Sequence, residues 1–225
     1  MSRRMRRTVR SLAWWMLPPL AGCFSGFHTN QLPQQTYVLS VPGAHATAGA
    51  DPGQASAVTR ASQPSGSLEV LLPAAGTGLS GEGIAVLRPG QRLDYYSGAR
   101  WAEPAPALLQ ALVVETLRQN GRFALVEPDT GPFDAQYLLS LELTHFEAEY
   151  ADSGAPTVHV ELVCTLGQRR GRQVLESFTA AGSATASADR MQAVVDAFEQ
   201  ATRAALSQIG MRLTPPASAA ANRTP

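Results

Sequence analysis

The stretch QYLLSLELTHFEAEY, residues 136–150, alternates apolar and polar side chains and is long enough for one strand to cross a whole domain. Its first half places a tyrosine and three leucines on one side, as in a strand with one buried face. After Leu143 the alternation changes phase, and Phe146 begins a second apolar set. Because a shift of one residue turns every side chain to the other face, the sequence predicts a bulge or sharp bend at Thr144 and His145.

The segments that follow extend the same sheet. TVHVELVCTL (157–166) carries alternate apolar residues, and the turn GQRRGR (167–172) joins it to a further strand, QVLESFTAAG (173–182). The last element, residues 188–211, repeats its apolar residues with helical spacing, and Ser187 is placed to cap the first turn. Long consecutive strands joined by tight turns predict an antiparallel sheet, with the helix packed on it.

Shorter elements precede these strands. Five apolar segments bounded by turn residues are expected to be strands: 36–41, 67–73, 83–89, 91–98 and 123–128. Before the last of them, residues 104–121 carry leucine and valine on one helical face, and Gly121 is suited to end that helix. The order of elements predicts an α+β fold, a mostly antiparallel sheet with both main helices packed on one face.

The N-terminal residues have the composition of a bacterial secretion signal. Residues 1–10 contain five arginines and no acid, and the apolar core at 11–20 is shorter than the ~20 residues that a membrane-spanning helix needs. It ends in Leu-Ala-Gly-Cys (20–23), which resembles the lipobox of bacterial lipoproteins. The resemblance implies that Cys23 is acylated and begins the mature chain; the alternative is an ordinary signal peptide with an incidental cysteine. Phe24 stands where inner-membrane lipoproteins typically carry Asp, which favours the outer membrane, facing the periplasm.

These patterns predict a signal peptide at 1–22, a lipidated tether at 23–35, one folded domain at 36–213 and a disordered tail at 214–225. The folded domain contains a flexible insert at 42–66 that is rich in Ala, Gly, Ser and Pro. The chain has 18 arginines and 18 acidic residues, but five of the arginines precede Cys23. The remaining 13 arginines against 18 acids give the mature chain a net charge of −5. With this charge and no basic patch, the protein is not expected to bind nucleic acid.

Several patterns resemble catalytic or binding motifs but have simpler explanations. Residues 76–81, GTGLSG, match the glycine spacing of dinucleotide-binding loops, yet a strand-like segment follows where that motif needs a helix, so a flexible loop is expected. The four histidines show no metal-ligand spacing. Glu147, Glu149 and Glu161 are expected to share the polar side of the sheet; paired carboxylates serve acid–base catalysis in some enzymes, but a solvated face is the commoner outcome. Cys164 is expected to be a buried thiol. The sequence therefore indicates no catalytic residue, no metal and no cofactor.

The order of certain motifs resembles one known family. A Tyr-x-Leu strand (37–39) comes early, a Tyr-Tyr pair (95–96) precedes Trp-Ala-Glu-Pro (101–104) and a helix, and a second Tyr-x-Leu strand (137–139) leads to the C-terminal helix. Together with the lipobox, this order resembles the ABC-type transport auxiliary lipoproteins of the PqiC-like group, over nearly all of residues 37–211. The insert at 42–66 departs from a compact member.

The resemblance implies a non-catalytic partner of ABC transporter components and of an MCE-domain periplasmic protein, moving lipids between membranes. It also allows a homo-oligomer. Trp101, Tyr95 and Tyr96 are candidate interface residues; for Trp101 the alternative is a core position at the corner between strand and helix. Two other classes of function remain open, an assembly factor or chaperone for an outer-membrane β-barrel and a periplasmic hydrolase.

Overall fold

The computed structural model describes residues 34–40, 65–151 and 153–215. The signal sequence, Cys23, nearly all of the insert and most of the tail lie outside these residues. The described elements, in chain order, are β1 (Gln35–Tyr37), β2 (Ser67–Val70), β3 (Ala74–Ala75), β4 (Gly83–Arg88), β5 (Arg92–Trp101), α1 (Ala105–Asn120), β6 (Leu125–Pro128), β7 (Tyr137–Glu149), β8 (Thr157–Gln168), β9 (Gln173–Thr185) and α2 (Met191–Arg212).

All nine described strands form one sheet around β7. Along one edge β7 pairs antiparallel with β8 over its whole length, and β8 pairs antiparallel with β9. Along its other edge β7 pairs in parallel with β2, β3 and β4 in turn, and β5 adds an antiparallel strand beyond β4. The α+β class with a mostly antiparallel sheet is confirmed, and the parallel pairs along one edge of β7 make the sheet mixed. Parallel pairing becomes possible because the chain between β2 and β7 contains a long crossover through α1.

The predicted irregularity in β7 is confirmed. Its pairing register with β8 shifts between Leu143 and His145. The extra residue, Thr144, donates its side-chain hydroxyl to the Glu161 carboxylate at 2.9 Å. On either side of the shift, Leu143 and Phe146 remain buried against the helices, so the bulge keeps one face of β7 apolar throughout.

Both helices contribute to one apolar core together with the inward-facing residues of the sheet. Helix α1 begins after Pro104 and ends at Gly121, whose φ of 60° is the left-handed conformation expected at a helix C-terminus. Helix α2 begins at Met191, three residues later than expected, and the predicted cap Ser187 lies outside it. The nearby Asp189 carboxylate accepts a hydrogen bond from the Tyr150 hydroxyl at 2.5 Å, so this segment is tied to the residue after β7 instead of starting the helix.

Helix α2 lies directly on β9, the last strand of the sheet. A Cβ atom added at Gly182 would come within 2.1 Å of the Ala201 carbonyl oxygen, so glycine is required for this close approach. Further along the helix, the Gln208 side chain donates to the Ala181 carbonyl oxygen at 2.6 Å and accepts from the Ala181 N–H at 3.3 Å. The helix thus packs on the strand and also hydrogen-bonds to its outer edge.

Candidate functional site

Trp101, a candidate interface residue, lies in the core. It ends β5, and none of its surface is exposed. Its ring packs against Phe146 and Phe198, with centroids 5.6 and 5.1 Å away, and its indole N–H has no hydrogen-bond partner among the described residues. Trp101 is therefore not accessible as an interface residue. The alternative position is observed, because the corner between β5 and α1 directs the side chain between β7 and α2.

The two adjacent tyrosines of β5 lie on opposite faces of the sheet. Tyr96 faces the helices and donates to the Tyr150 hydroxyl at 3.1 Å. Tyr95 faces the other side, is 51% exposed and donates to the Gly78 carbonyl oxygen at 2.8 Å. The three candidate interface residues therefore do not form one surface, and Tyr95 is the one among them that a partner could reach.

The loop at 76–81 packs against Tyr95 rather than forming a ligand cradle. Its Gly76 N–H donates to the Leu143 carbonyl oxygen at 2.9 Å, and Leu79 is buried. Strand β4 follows at Gly83, where a dinucleotide-binding motif would start a helix. The segment is an ordered connection between β3 and β4, not the flexible loop that we expected.

The face of β7 and β8 turned away from the helices carries an open cleft of about 530 Å³. Among the described residues, its ionisable lining consists of three carboxylates and two imidazoles: His145, Glu147, Glu149, His159 and Glu161. The register explains this grouping, because His145 lies opposite Glu161 and Glu147 opposite His159 on the neighbouring strand. We call these five residues the acidic cleft. The expected row of glutamates does exist, and two histidines join it across the strand pair.

Glu147 departs from the expected solvated row because it is only 6% exposed. It lies on a central strand, with Ala85 of β4 on one side and β8 on the other. Its two carboxylate oxygens accept hydrogen bonds, one from the Phe146 N–H and one from the His145 Nδ1, both at 2.6 Å. The carboxylate therefore orients the imidazole. Its position on a central strand was the signal that sequence reasoning missed.

The hydrogen bond from Glu147 raises the pKa of His145 above its ordinary value, an effect that partial burial opposes. The charges of Glu161 and Glu149 raise this pKa further, by smaller amounts. At the other end of the cleft His159 Nε2 lies 3.3 Å from the Glu149 carboxylate. In the described part of the chain, no three His, Cys, Asp or Glu side chains converge as metal ligands. What the cleft offers is negative charge and hydrogen-bond acceptors on an open surface.

The two cysteines differ in what the structure says about them. Cys164 is fully buried on the helix-facing side of β8, and this burial raises the pKa of its thiol to about 12. Cys23 lies outside the described residues, so its lipidation stays a prediction. Among the described helices, none is both long and apolar enough to cross a membrane.

The chain is similar to proteins of known structure. A crystal structure of protein XCC0632 from Xanthomonas campestris, of the family DUF330, is 26% identical, with a TM-score of 0.64 over 78% of this chain and 92% of that one. An uncharacterised protein of known structure is 14% identical, with a TM-score of 0.58 over 80% of this chain and 98% of that one. No curated protein matches the chain.

The family comparison covers most of the folded domain. Residues 50–210 match the model of the family described as the ABC-type transport auxiliary lipoprotein component. The match extends from the insert almost to the end of α2, so it includes every described element after β1 except the last two residues of α2. The chain therefore belongs to the ABC-type transport auxiliary lipoprotein component family.

Proposed function

We propose that the protein is an outer-membrane lipoprotein, held by acylated Cys23 and facing the periplasm. There it serves as a non-catalytic docking component of an ABC transport system that contains an MCE-type protein and moves lipids between membranes. The observation that carries this proposal is the family match over residues 50–210. The lipobox at 20–23 supports the anchor, and Phe24 in place of Asp supports the outer membrane.

The fold is suited to docking. Two helices cover one face of the sheet, and the acidic cleft and Tyr95 lie on the other. A rigid sheet whose open face carries both an exposed aromatic ring and fixed charges can select a partner by shape and by charge. The proposed contact with an MCE-type protein uses this open face.

The anchor is tested by Cys23→Ser in cells fed labelled palmitate. We expect the variant to incorporate no label and to leave the membrane fraction, because it lacks the thiol to which the acyl chains attach. Cys164→Ser is the matched control and keeps both properties. A Cys23→Ser protein that still partitions with membranes would argue against lipidation.

The partner is tested by co-purification from detergent-solubilised membranes of the native bacterium, with identification by mass spectrometry. We expect an MCE-type protein and ABC transporter components, and the mass of the complex measured at the same time gives the oligomeric state. Recovery of an outer-membrane β-barrel instead would favour the assembly-factor function. Tyr95→Ala is expected to weaken the complex, whereas Met211→Ala, which removes a similarly exposed side chain elsewhere, is expected to leave it unchanged.

A further inference from the structure

The turn between β8 and β9 concentrates positive charge at one end of the sheet. Arg169, Arg170 and Arg172 lie within four residues, and every residue from Gln168 to Val174 is exposed. The Arg169 guanidinium is paired with the Glu69 carboxylate. Arg170 and Arg172 form no ion pair or hydrogen bond with other described residues. Two guanidinium groups are thus free to bind an anion.

A cleft of about 390 Å³ lies beside this turn and has a mixed lining. Arg169 and Arg172 contribute charge, Leu138 and Val174 contribute apolar surface, and none of the described residues that line it is acidic. Guanidinium groups match the geometry of phosphate oxygens, and the neighbouring apolar side chains suit the acyl region next to a phosphate headgroup. This combination is typical of a site for phosphate-bearing amphiphiles rather than for free inorganic ions.

Exposed apolar side chains stand at the same end of the sheet. Val174 is 62% exposed, and Phe133, in the loop before β7, is 63% exposed. That loop is joined to the turn, because the Arg169 N–H donates to the Gln136 carbonyl oxygen at 2.9 Å. Basic residues interleaved with exposed apolar ones are the composition of a membrane-surface contact.

The charges along β7, β8 and β9 favour one orientation on such a surface. These strands contain no arginine or lysine, and four of their glutamates, including Glu147, Glu149 and Glu161, lie on the open face. The acidic cleft lies toward the end of β7 that is farther from the turn, about 30–40 Å away at ~3.3 Å per residue. An anionic surface would attract the turn and repel the cleft.

We propose that the β8–β9 turn binds anionic phospholipid headgroups at the membrane surface. Arg170 and Arg172 pair with lipid phosphates, while Val174 and Phe133 contact the acyl boundary. The domain then stands with its acidic cleft directed away from the membrane and open to a protein partner. The tether can accommodate this orientation, because the 12 residues at positions 23–34 reach up to about 40 Å when extended.

The test measures, in the full-length protein, how close the β8–β9 turn comes to the lipid surface. Its result therefore does not depend on which transport partner the proposed function involves. A fluorophore is attached at Gln173→Cys, where β9 begins beside the turn, or at Thr185→Cys, at the opposite end of β9. The buried thiol of Cys164 does not compete for the label, and the thiol of Cys23 carries an acyl group in the proposed lipoprotein. Two kinds of vesicle are compared, both of which contain nitroxide-labelled lipid. The anionic vesicles are made of phosphatidylethanolamine and phosphatidylglycerol, and the neutral vesicles are made of phosphatidylcholine alone.

We expect nitroxide quenching at position 173 to be about threefold stronger on the anionic vesicles, and quenching at position 185 to stay low on both. Arg170→Gln with Arg172→Gln should reduce the signal at 173 to its level on phosphatidylcholine. The matched control, Arg190→Gln with Arg203→Gln, removes two exposed arginines near or on α2 and should leave the signal unchanged. Equal quenching on both vesicles, or equal loss in the control, overturns the proposal.

A second variant separates binding from folding. Arg172 has a φ of 51°, a left-handed conformation that glycine adopts without strain. Arg172→Gly should therefore raise the melting temperature by about 2–4 °C while it lowers the quenching at position 173. Unchanged quenching in this more stable variant would also contradict the proposal.

Two further outcomes identify a different ligand. If inorganic phosphate releases the turn from anionic vesicles where sulfate at the same ionic strength does not, the site takes free phosphate and the membrane contact is wrong. If the turn stays unquenched but Arg170→Gln with Arg172→Gln abolishes co-purification of a partner, the turn is a protein contact. Loss of all co-purifying transport components in the unmodified protein would instead refute the docking function and leave the membrane contact standing.

Discussion

Gly182→Ala is expected to destabilise the fold strongly, because helix α2 occupies the space that the methyl group needs. The added Cβ would lie 2.1 Å from the Ala201 carbonyl oxygen and 2.9 Å from the Ala204 Cβ. Restoring an ordinary van der Waals separation of about 3.4 Å requires β9 and α2 to move apart by about 1.3 Å. The obstacle is backbone and cannot rotate away, and half of the 22 residues of α2 are buried in the same core.

Overpacking that side chains can partly relieve costs about 1–3 kcal/mol, so we expect a loss at the upper end, about 3 kcal/mol. For a domain of this size, that corresponds to a fall in melting temperature of about 6–12 °C, measured by circular dichroism.

The control is Gly81→Ala, which adds the same methyl group where the nearest other atom is 3.9 Å away and φ lies outside the left-handed range. This variant should melt within about 2 °C of the wild type or slightly above it, since alanine restricts the unfolded chain. If Gly182→Ala also melts within about 2 °C of the wild type, then α2 does not lie on β9 at this separation.

Three other predictions concern single side chains. Trp101→Ala should lower the free energy of unfolding, measured with denaturant, by about 3–5 kcal/mol. Trp101→Phe should lower it clearly less, because phenylalanine refills most of the cavity and carries no unpaired N–H. Equal losses in the two variants would contradict the core position. Cys164 should react with a thiol reagent at about pH 8 only after unfolding, since burial raises its pKa to about 12; native labelling at the rate of an exposed cysteine would contradict its burial. The raised pKa of His145 means that its protonated form stabilises the fold fully below the unfolded pKa of about 6.5, and that this stabilisation disappears as pH rises through the folded pKa. The difference in urea midpoint between wild type and His145→Asn should therefore shrink from about pH 5 to about pH 9. A difference that grows with pH would contradict the conclusion that Glu147 stabilises the protonated form of His145.

Local patterns in the sequence predicted local structure well. The phase change in β7 predicted the bulge at Thr144, and Gly121 predicted the end of α1. Pairing between distant strands was not predictable in the same way. Strands β2, β3 and β4 are short, and each pairs in parallel with a different part of β7. Hydrophobic alternation says which face of a strand is buried but not which neighbour it has, so the sequence did not identify the parallel pairs within a mostly antiparallel sheet.

The candidate site was predictable in composition but not in arrangement. The alternation placed Glu147 and Glu149 on the polar face, and cross-strand register, which the sequence does not specify, brought His159 beside them. Burial of Glu147 depends on β4 lying along the outer edge of β7, a long-range pairing. Trp101 shows the same limit, since the direction of a side chain at a corner depends on where α2 packs.

The hydrogen bonds from Gln208 to Ala181 have a consequence for aggregation. Among the described strands β9 pairs with β8 alone, and a strand edge with free N–H and C=O groups is a template on which another chain can add a strand. The Gln208 side chain is hydrogen-bonded to both the N–H and the C=O of Ala181, which lies on that edge. An incoming strand must therefore first displace the Gln208 side chain. This amide therefore makes polymerisation through the sheet edge less favourable, and it does so without covering the open face of the sheet.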